Sequence, residues 1–244
     1  MIDFATYLLN EDVDPKATNL KLDLEILRQA AAAGITALFL TPKIDPDKTG
    51  LDWQQIVHQT QLWQEAAQAA QLPLKIYPGA ELALKHRCLE LLNYNQSDYG
   101  MAGSHCVLVR MEEDSHPTQD YALLYELMLK GYRPILAAPE SSSWVQAQPG
   151  RLLEWMHCDI LIQVDLGSLS GLKGEKARTI AAALAKRKLI TFSGSHAAQA
   201  QDYRLLGSEA GTKLLEPEQA AVMEERAELV VADQVFYQEL PHRW

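Results

Sequence analysis

The chain has 244 residues, of which 48% are hydrophobic and 22% are charged, a composition typical of globular proteins that excludes a largely disordered chain. Its formal net charge of −10 argues against nucleic-acid binding as the main function, because such proteins present basic surfaces. The three cysteines are widely spaced and form no CxxC pair, which favours a reducing cytoplasm over a disulfide framework.

The opening segment, MIDFATYLLNED, contains acidic residues and lacks the basic n-region of a signal peptide, so we expect no secretion signal. No apolar run approaches the ~20 residues needed to cross a bilayer. We therefore expect no membrane insertion and a cytoplasmic protein.

Short apolar segments alternate along the chain with segments of helical periodicity. The predicted strands are residues 2–7, 35–40, 74–77, 106–111, 134–137, 160–164 and 189–193. The predicted helices are residues 20–33, 52–71, 86–92, 121–130, 152–157, 174–186, 198–215 and 217–227. This alternation is typical of βα units with a parallel sheet. Seven such units favour a closed barrel, so we predict an α/β fold, a distorted TIM-like (β/α)7 barrel, as a single domain over residues 1–244.

The stretch 123–141 illustrates the repeating unit. A helix ends at Gly131, and a buried strand then leads to a carboxylate, Glu140. Functional groups of α/β barrels lie at such strand ends. The nucleotide-binding loops GxGxxG and GxxxxGK[ST] are absent from the sequence, so a nucleotide site of either kind is not predicted.

Five segments together resemble a known family. They are LLYELMLKGYRPILAAPE (123–140), IQVDLGSLSGLKGEKA (162–177), TPK (41–43), YPGAE (77–81) and FSGSH (192–196). The chain is similar, over nearly its whole length and in the same order, to the bacterial PHP-type (polymerase and histidinol phosphatase) tyrosine phosphatases of capsule and exopolysaccharide biosynthesis. The resemblance implies a seven-stranded TIM-like barrel. It also implies a cluster of divalent metals, usually manganese or iron, that hydrolyses phosphotyrosine on a partner tyrosine kinase.

Many of the family's metal-ligand positions hold other residues in this chain. The opening Asp-x-His-x-His motif reads Asp3-Phe4-Ala5-Thr6-Tyr7, without either histidine. Two ligand positions carry cations, Lys43 for a histidine and Arg110 for a glutamate. Further replacements are Ala138 for a histidine, Ser141 for an arginine and Gly194 for an aspartate, whereas Glu81, Glu140 and His196 are kept.

These replacements favour loss of the metal cluster. Of the ligand set only Glu81 and His196 remain, and two ligands do not hold several metals. A unit cation about 4 Å from a dication repels it by roughly 8 kcal/mol at an effective dielectric constant of about 20, so Lys43 and Arg110 oppose metal binding. We therefore predict no metal cofactor.

We predict instead a pocket for phosphotyrosine or another anion, formed by Lys43, Arg110, His196, Glu81 and Glu140. Because buried carboxylates need compensating charge, Lys43 or Arg110 is expected to contact Glu81 or Glu140. The main interpretation is a catalytically inactive phosphatase homologue with a binding or regulatory role, its partner being the cytoplasmic tyrosine kinase of polysaccharide biosynthesis.

Two alternatives stay open. The first is an active phosphatase with a reduced manganese or iron site built from Glu81, His196 and an aspartate such as Asp3 or Asp12, with Asp14 near the same strand end. The second is a structural partner in a polysaccharide assembly. Homo-oligomerisation is possible under each interpretation.

Overall fold

The computed structural model describes residues 1–9, 24–48, 50–92, 97–113, 115–206 and 215–244. The strands are β1 Ile2–Thr6, β2 Ala37–Leu40, β3 Lys43–Ile44, β4 Lys75–Pro78, β5 Glu81–Ala83, β6 Cys106–Arg110, β7 Arg133–Ala137, β8 Leu161–Asp165 and β9 Phe192–Gly194. The helices are α1 Leu24–Ala32, α2 Trp53–Ala69, α3 His86–Leu91, α4 Pro117–Leu129, α5 Ser143–Ala147, α6 Gly150–Met156, α7 Leu166–Ser170, α8 Glu175–Lys186, α9 Ala200–Leu206 and α10 Pro217–Val231.

The strands form two parallel sheets, in the orders β1-β2-β4 and β3-β5-β6-β7-β8-β9. A short break separates β2 from β3 and β4 from β5, so each pair continues one predicted strand. The last strand returns to the first, because the His196 N–H donates to the Ala5 carbonyl and the Tyr7 N–H donates to the Ala197 carbonyl, both at 2.8 Å. This curled parallel sheet confirms the predicted α/β, TIM-like fold.

Several predicted boundaries differ from the observed ones for local reasons. Strand β9 begins later than predicted, at Phe192, and the preceding Thr191 pairs with Ile162 partly through its hydroxyl, which accepts the Ile162 N–H at 3.2 Å. Helix α4 begins earlier because the His116 ring caps its first turn and Pro117 fits there. Helices α5 and α7, of 5 residues each, are too short to show a helical period in the sequence. Parts of the predicted helices 20–33 and 198–215 lie outside the described residues.

Helix α2 shows how local sequence fixes an element. Asp52 forms the predicted cap: its carboxylate accepts the Gln55 N–H, and the Gln55 side chain accepts the Asp52 N–H, both at 2.8 Å. Ile56, Trp63 and Ala67 recur at helical spacing and are buried against the sheet. The apolar face therefore holds the helix on the barrel.

Aromatic side chains fill the interior. Phe4 of β1 stacks on Phe192 of β9 with ring centroids 3.9 Å apart, and Phe39 of β2 lies 4.6 Å from Phe4. This packing joins the first and last strands and makes the interior a solid core, as is usual for such barrels. The carboxyl ends of β1, β8 and β9 are thereby brought together.

Within the described residues, none of the helices has the length and apolar character that crossing a bilayer requires. The single-domain assignment for residues 1–244 stays a prediction.

Candidate functional site

A cavity of about 590 Å³ opens at the carboxyl ends of the strands. Its lining combines charged, aromatic and hydroxyl groups: Tyr7, Glu81, Arg110, Met111, Glu112, Glu113, Ala137, Ala138, Ser141, Ser142, Ser143 and His196. Side chains after several different strands meet there, as expected for the functional end of an α/β barrel.

Glu81, the first residue of β5, lies at the centre of this site and is fully buried. The Tyr7 hydroxyl donates to Glu81 Oε2 at 2.7 Å, and Arg110 Nε lies 3.1 Å from Glu81 Oε1. The Arg110 contact is an ion pair without hydrogen-bond alignment. The prediction that Lys43 or Arg110 contacts Glu81 or Glu140 is thus confirmed through Arg110.

Arg110 ends β6 and links the buried part of the site to its rim. Its Nη1 lies 3.2 Å from Glu112 Oε1, and its side chain is 35% exposed. Glu112 also lies 3.8 Å from Lys85. The guanidinium therefore neutralises Glu81 while keeping part of its surface open to the cavity.

His196 is buried between acceptor oxygens. Its Nδ1 lies 3.2 Å from Asp165 Oδ2 and its Nε2 lies 3.2 Å from Gln163 Oε1. Burial alone lowers the pKa of His196, but the Asp165 and Glu81 carboxylates offset this, and the pKa is raised above its ordinary value. An imidazolium that donates from both nitrogens fits these partners. The ring also stacks on Tyr7, with centroids 5.0 Å apart.

Asp165 ends β8 and caps helix α7, where its Oδ1 accepts the Gly167 N–H at 2.6 Å. Burial raises the pKa of the Asp165 carboxyl, but His196 and Lys173, whose Nζ lies 3.5 Å from Oδ2, bring it below its ordinary value. Asp165 and His196 therefore form a charged pair at the floor of the site.

The backbone at the site is strained in two places. His196 and Ala138 adopt φ values of +50° and +43°, a left-handed conformation that costs a residue with a Cβ about 1–2 kcal/mol. Next to His196, the Ser195 N–H and hydroxyl donate to Asp3 at 2.7 and 2.5 Å, and the Tyr203 hydroxyl donates to it at 2.8 Å. Asp3, an aspartate of the predicted reduced metal site, thereby anchors this turn.

The structure separates the predicted pocket residues into two groups. Glu81, Arg110 and His196 line the cavity together. The Lys43 ammonium lies 4.3 Å above the Tyr7 ring, outside the lining set. Glu140 is buried behind the cavity, where its Oε1 accepts the Asp165 N–H at 2.9 Å. The anion-binding role of the five stays a prediction, and Asp12 and Asp14 lie outside the described residues.

Sequence reasoning missed Tyr7, Gln163 and Asp165 as site residues. Tyr7 counted only as a lost histidine, although a tyrosine hydroxyl donates well to a buried carboxylate. Gln163 and Asp165 alternate in the run IQVDLG, so they share one face of β8 at its carboxyl end. Polar residues at alternate positions of a fully buried strand were the available signal.

Residues 1–209 match the protein family described as "Capsular polysaccharide synthesis, CpsB/CapC". The chain belongs to the CpsB/CapC family. It is 24% identical over 255 residues to the tyrosine-protein phosphatase YwqE of Bacillus subtilis (strain 168), covering 99% of this chain and 95% of that one. It is 25% identical over 197 residues to a protein named CapC from Staphylococcus aureus, covering 81% of this chain and 76% of the relative.

A solved structure shares the fold. It comes from work on YwqE from Bacillus subtilis and CpsB from Streptococcus pneumoniae, described as metal-dependent tyrosine phosphatases. Its TM-score to this chain is 0.77 at 22% identity, with 100% of this chain and 99% of that chain covered.

The prediction of no metal cofactor is wrong in the light of this comparison, because these CpsB/CapC-type relatives are described as metal-dependent. The prediction counted metal ligands only at the positions where the resembled family has them. It gave no weight to Asp165, which contacts His196, and it counted Arg110 and Lys43 as opposing metal binding unless their side chains turn away.

The arrangement of the described side chains bears on whether a metal cluster could bind. Over the described ranges, no three His, Cys, Asp or Glu side chains converge as a ligand set. Glu81 is engaged by Arg110 and Tyr7, and Asp165 by His196 and Lys173. Arranged in this way, these residues do not fit a metal cluster.

Proposed function

We propose that this protein removes phosphate from phosphotyrosine on a cytoplasmic protein of capsule or exopolysaccharide synthesis, with the metal requirement of its relatives. The tyrosine kinase of polysaccharide synthesis is the proposed partner. The proposal rests on family membership and on the cavity at the carboxyl ends of the strands. That cavity lies where the enzymes of this architecture bind their substrates.

The observation that carries the proposal is the pair of cations, Arg110 and His196, beside an open cavity with hydroxyl groups on its rim. A phosphate dianion is bound best by charge-assisted hydrogen bonds, and a guanidinium suits its oxygens. Arg110 would bind the phosphate at the cavity mouth. His196 would supply positive charge deeper in the cavity, where Asp165 holds its orientation.

Turnover by the metal-loaded chain tests the proposal. The purified full chain is treated with EDTA and then assayed on p-nitrophenyl phosphate and a phosphotyrosine peptide, with and without added Mn²⁺ or Fe²⁺. We expect activity that depends on the added metal. Arg110→Ala should raise KM, because it removes a phosphate ligand, and His196→Ala should lower kcat by about 100-fold.

Arg204→Ala is the matched control, because Arg204 is an exposed arginine paired with Glu25 on helix α1. It should leave both kinetic constants unchanged. A folded wild-type chain that releases no phosphate with either metal would overturn the proposal.

One observation favours a second candidate, binding of phosphotyrosine without hydrolysis. The two buried carboxylates Glu81 and Asp165 already have cationic partners, Arg110 for Glu81 and Lys173 with His196 for Asp165. A regulatory protein would then bind the phosphorylated peptide and release no phosphate. Calorimetry with the phosphotyrosine peptide, run beside a phosphate-release assay, separates the two functions. If the peptide does not bind at all, the remaining alternative is a structural partner in a polysaccharide assembly.

A further inference from the structure

A second cavity, of about 620 Å³, lies at the opposite, amino end of the barrel strands. We call it the amino-end cavity. It lies open to solvent between the end of helix α8, helix α10 and the C-terminal tail, and its lining is Arg187, Lys188, Ile190, Glu218, Gln219, Val222, Arg226, Tyr237, Glu239, Leu240 and Pro241. Its size falls in the range of small-molecule sites. Residues 218–241 lie beyond the segment 1–209 that matches the family.

Three cations line the amino-end cavity, and among the described residues none of them has a carboxylate within ion-pair distance. Arg226 is half-buried and its Nη1 donates to the Ile190 carbonyl at 3.3 Å. Arg187 donates to the Ala183 carbonyl at 3.3 Å and lies over the Trp244 ring at 4.8 Å. In the part of the chain that the structure describes, neither they nor Lys188 form an ion pair, although the exposed Glu218 and Glu239 also line the cavity.

Arg226 is the cation with the greatest need of a counter-ion. Burial lowers the pKa of Arg226, the positive charge of the neighbouring Arg133 lowers it further, and the charge of Glu225 offsets only part of this. Arg133 itself is compensated by Asp159, with Nη2 and Oδ1 2.6 Å apart. A partly buried guanidinium without a carboxylate is costly, and a bound anion relieves that cost.

The rest of the cavity wall is apolar. Ile190, Val222, Leu240 and Pro241 line it, together with the ring of Tyr237, whose side chain is 90% exposed. An exposed aromatic ring next to arginines provides a surface for a ring or another flat apolar group. The wall therefore complements a ligand that has an anionic end and an apolar end.

We infer that the amino-end cavity binds a small organic phosphate. The phosphate lies on the guanidinium groups of Arg226 and Arg187, and its ring or apolar group lies against Tyr237. This ligand site is separate from the cavity of Arg110 and His196 and does not depend on phosphatase activity.

Calorimetry with benzylphosphonate tests the inference, because this probe joins a phosphonate to a ring and has no ester bond to hydrolyse. The full chain carries Arg110→Ala, which weakens anion binding at the other cavity. We expect about one equivalent of probe to bind. Arg226→Gln should weaken binding about tenfold, the effect of one charge-assisted contact, and Arg187→Gln should weaken it several-fold. Inorganic phosphate should compete more weakly, since it lacks the ring.

Lys176→Gln is the matched control, because Lys176 is exposed on helix α8 away from the cavity, and it should leave the affinity unchanged. Because Arg187 is exposed, Arg187→Gln should fold normally. It therefore tests the inference even if Arg226→Gln disturbs folding. Trp244 fluorescence should change with bound probe, and Trp244→Phe should remove that signal. Absence of probe binding, or an affinity that neither arginine variant alters, would overturn the inference.

Discussion

The buried carboxylates near the candidate site are stabilised in different ways. Glu81 has a tyrosine hydroxyl and a guanidinium, and Asp165 has an imidazolium and an ammonium. The Glu140 carboxylate accepts the Asp165 N–H at its Oε1, and among the described residues its Oε2 has no hydrogen-bond partner. Burial raises the pKa of the Glu140 carboxyl from 4.5 to about 7. The Glu140 carboxyl is therefore protonated in the folded protein up to near neutral pH.

Replacing Glu140 with glutamine should remove part of the pH dependence of stability. Between pH 4.5 and about 7 the folded protein keeps a proton on Glu140 that the unfolded chain releases, so the free energy of unfolding falls as pH rises. In the wild type this contribution to the free energy of unfolding amounts to about 3 kcal/mol. It is fully present below pH 4.5 and is lost above pH 7. Urea unfolding at pH 5 and pH 8 measures it, and Glu140→Gln should lose less stability over that interval.

The wild type and Glu140→Gln are compared with each other at each pH. This is necessary because the buried Asp3 also has a raised pKa and makes the stability of both proteins fall as pH rises. Glu154→Gln, at an exposed position of helix α6, should behave like the wild type. Equal pH dependence in the wild type and Glu140→Gln would contradict the assignment of the proton.

At the scale of elements, β1, β8 and β9 approach each other closely at Gly194. A Cβ added to Gly194 would lie 2.7 Å from both the Ala5 Cβ and Gln163 Nε2, and 2.9 Å from the Ala5 N. Neither the backbone of β1 nor the buried Gln163 side chain has room to move aside. The small residues Ala5 and Gly194 therefore determine the spacing of these strands.

Gly194→Ala should destabilise the protein by about 3 kcal/mol, because overpacking against backbone atoms forces the strands apart. Gly150→Ala is the matched control: its Cβ would meet Trp244 at 3.6 Å, an ordinary contact, and alanine favours helix α6. Thermal unfolding of both variants measures the difference. A Gly194→Ala protein as stable as Gly150→Ala would show that β1 and β9 are not tightly packed.

The elements were more predictable from the sequence than the site. Strand and helix identity follows from periodicity and caps such as Asp52, which act over a few residues. The His196 contacts join β8 to the turn after β9, and the Glu81 contacts join β1, β5 and β6, so they depend on how strands meet in space. The Arg110–Glu81 pair was predictable because a buried carboxylate needs a cation, whereas the position of Lys43 over Tyr7 was not.

At the scale of the whole molecule, the C-terminal tail crosses the amino end of the barrel and is tied to its core. The Gln238 amide donates to the carbonyls of Lys188 and Leu189 at 3.3 and 3.0 Å. Phe236 is buried, edge-on to Phe192 at 6.0 Å and beneath the Arg133 guanidinium at 4.2 Å. Since the tail forms one wall of the amino-end cavity, its attachment to the barrel should affect both ligand binding in that cavity and the stability of the fold.

Phe236→Ala tests this attachment. Removing a buried ring leaves a void beside Phe192 and takes the cation–π partner from Arg133, so we expect a loss of about 3 kcal/mol in the free energy of unfolding. Amide exchange should speed up in residues 234–241, and benzylphosphonate binding should weaken because Tyr237 and Leu240 lose their fixed positions. Val235→Ala, at a neighbouring side chain that is 72% exposed, should change none of these. Full stability and unchanged exchange in Phe236→Ala would show that the tail is not held by the barrel core.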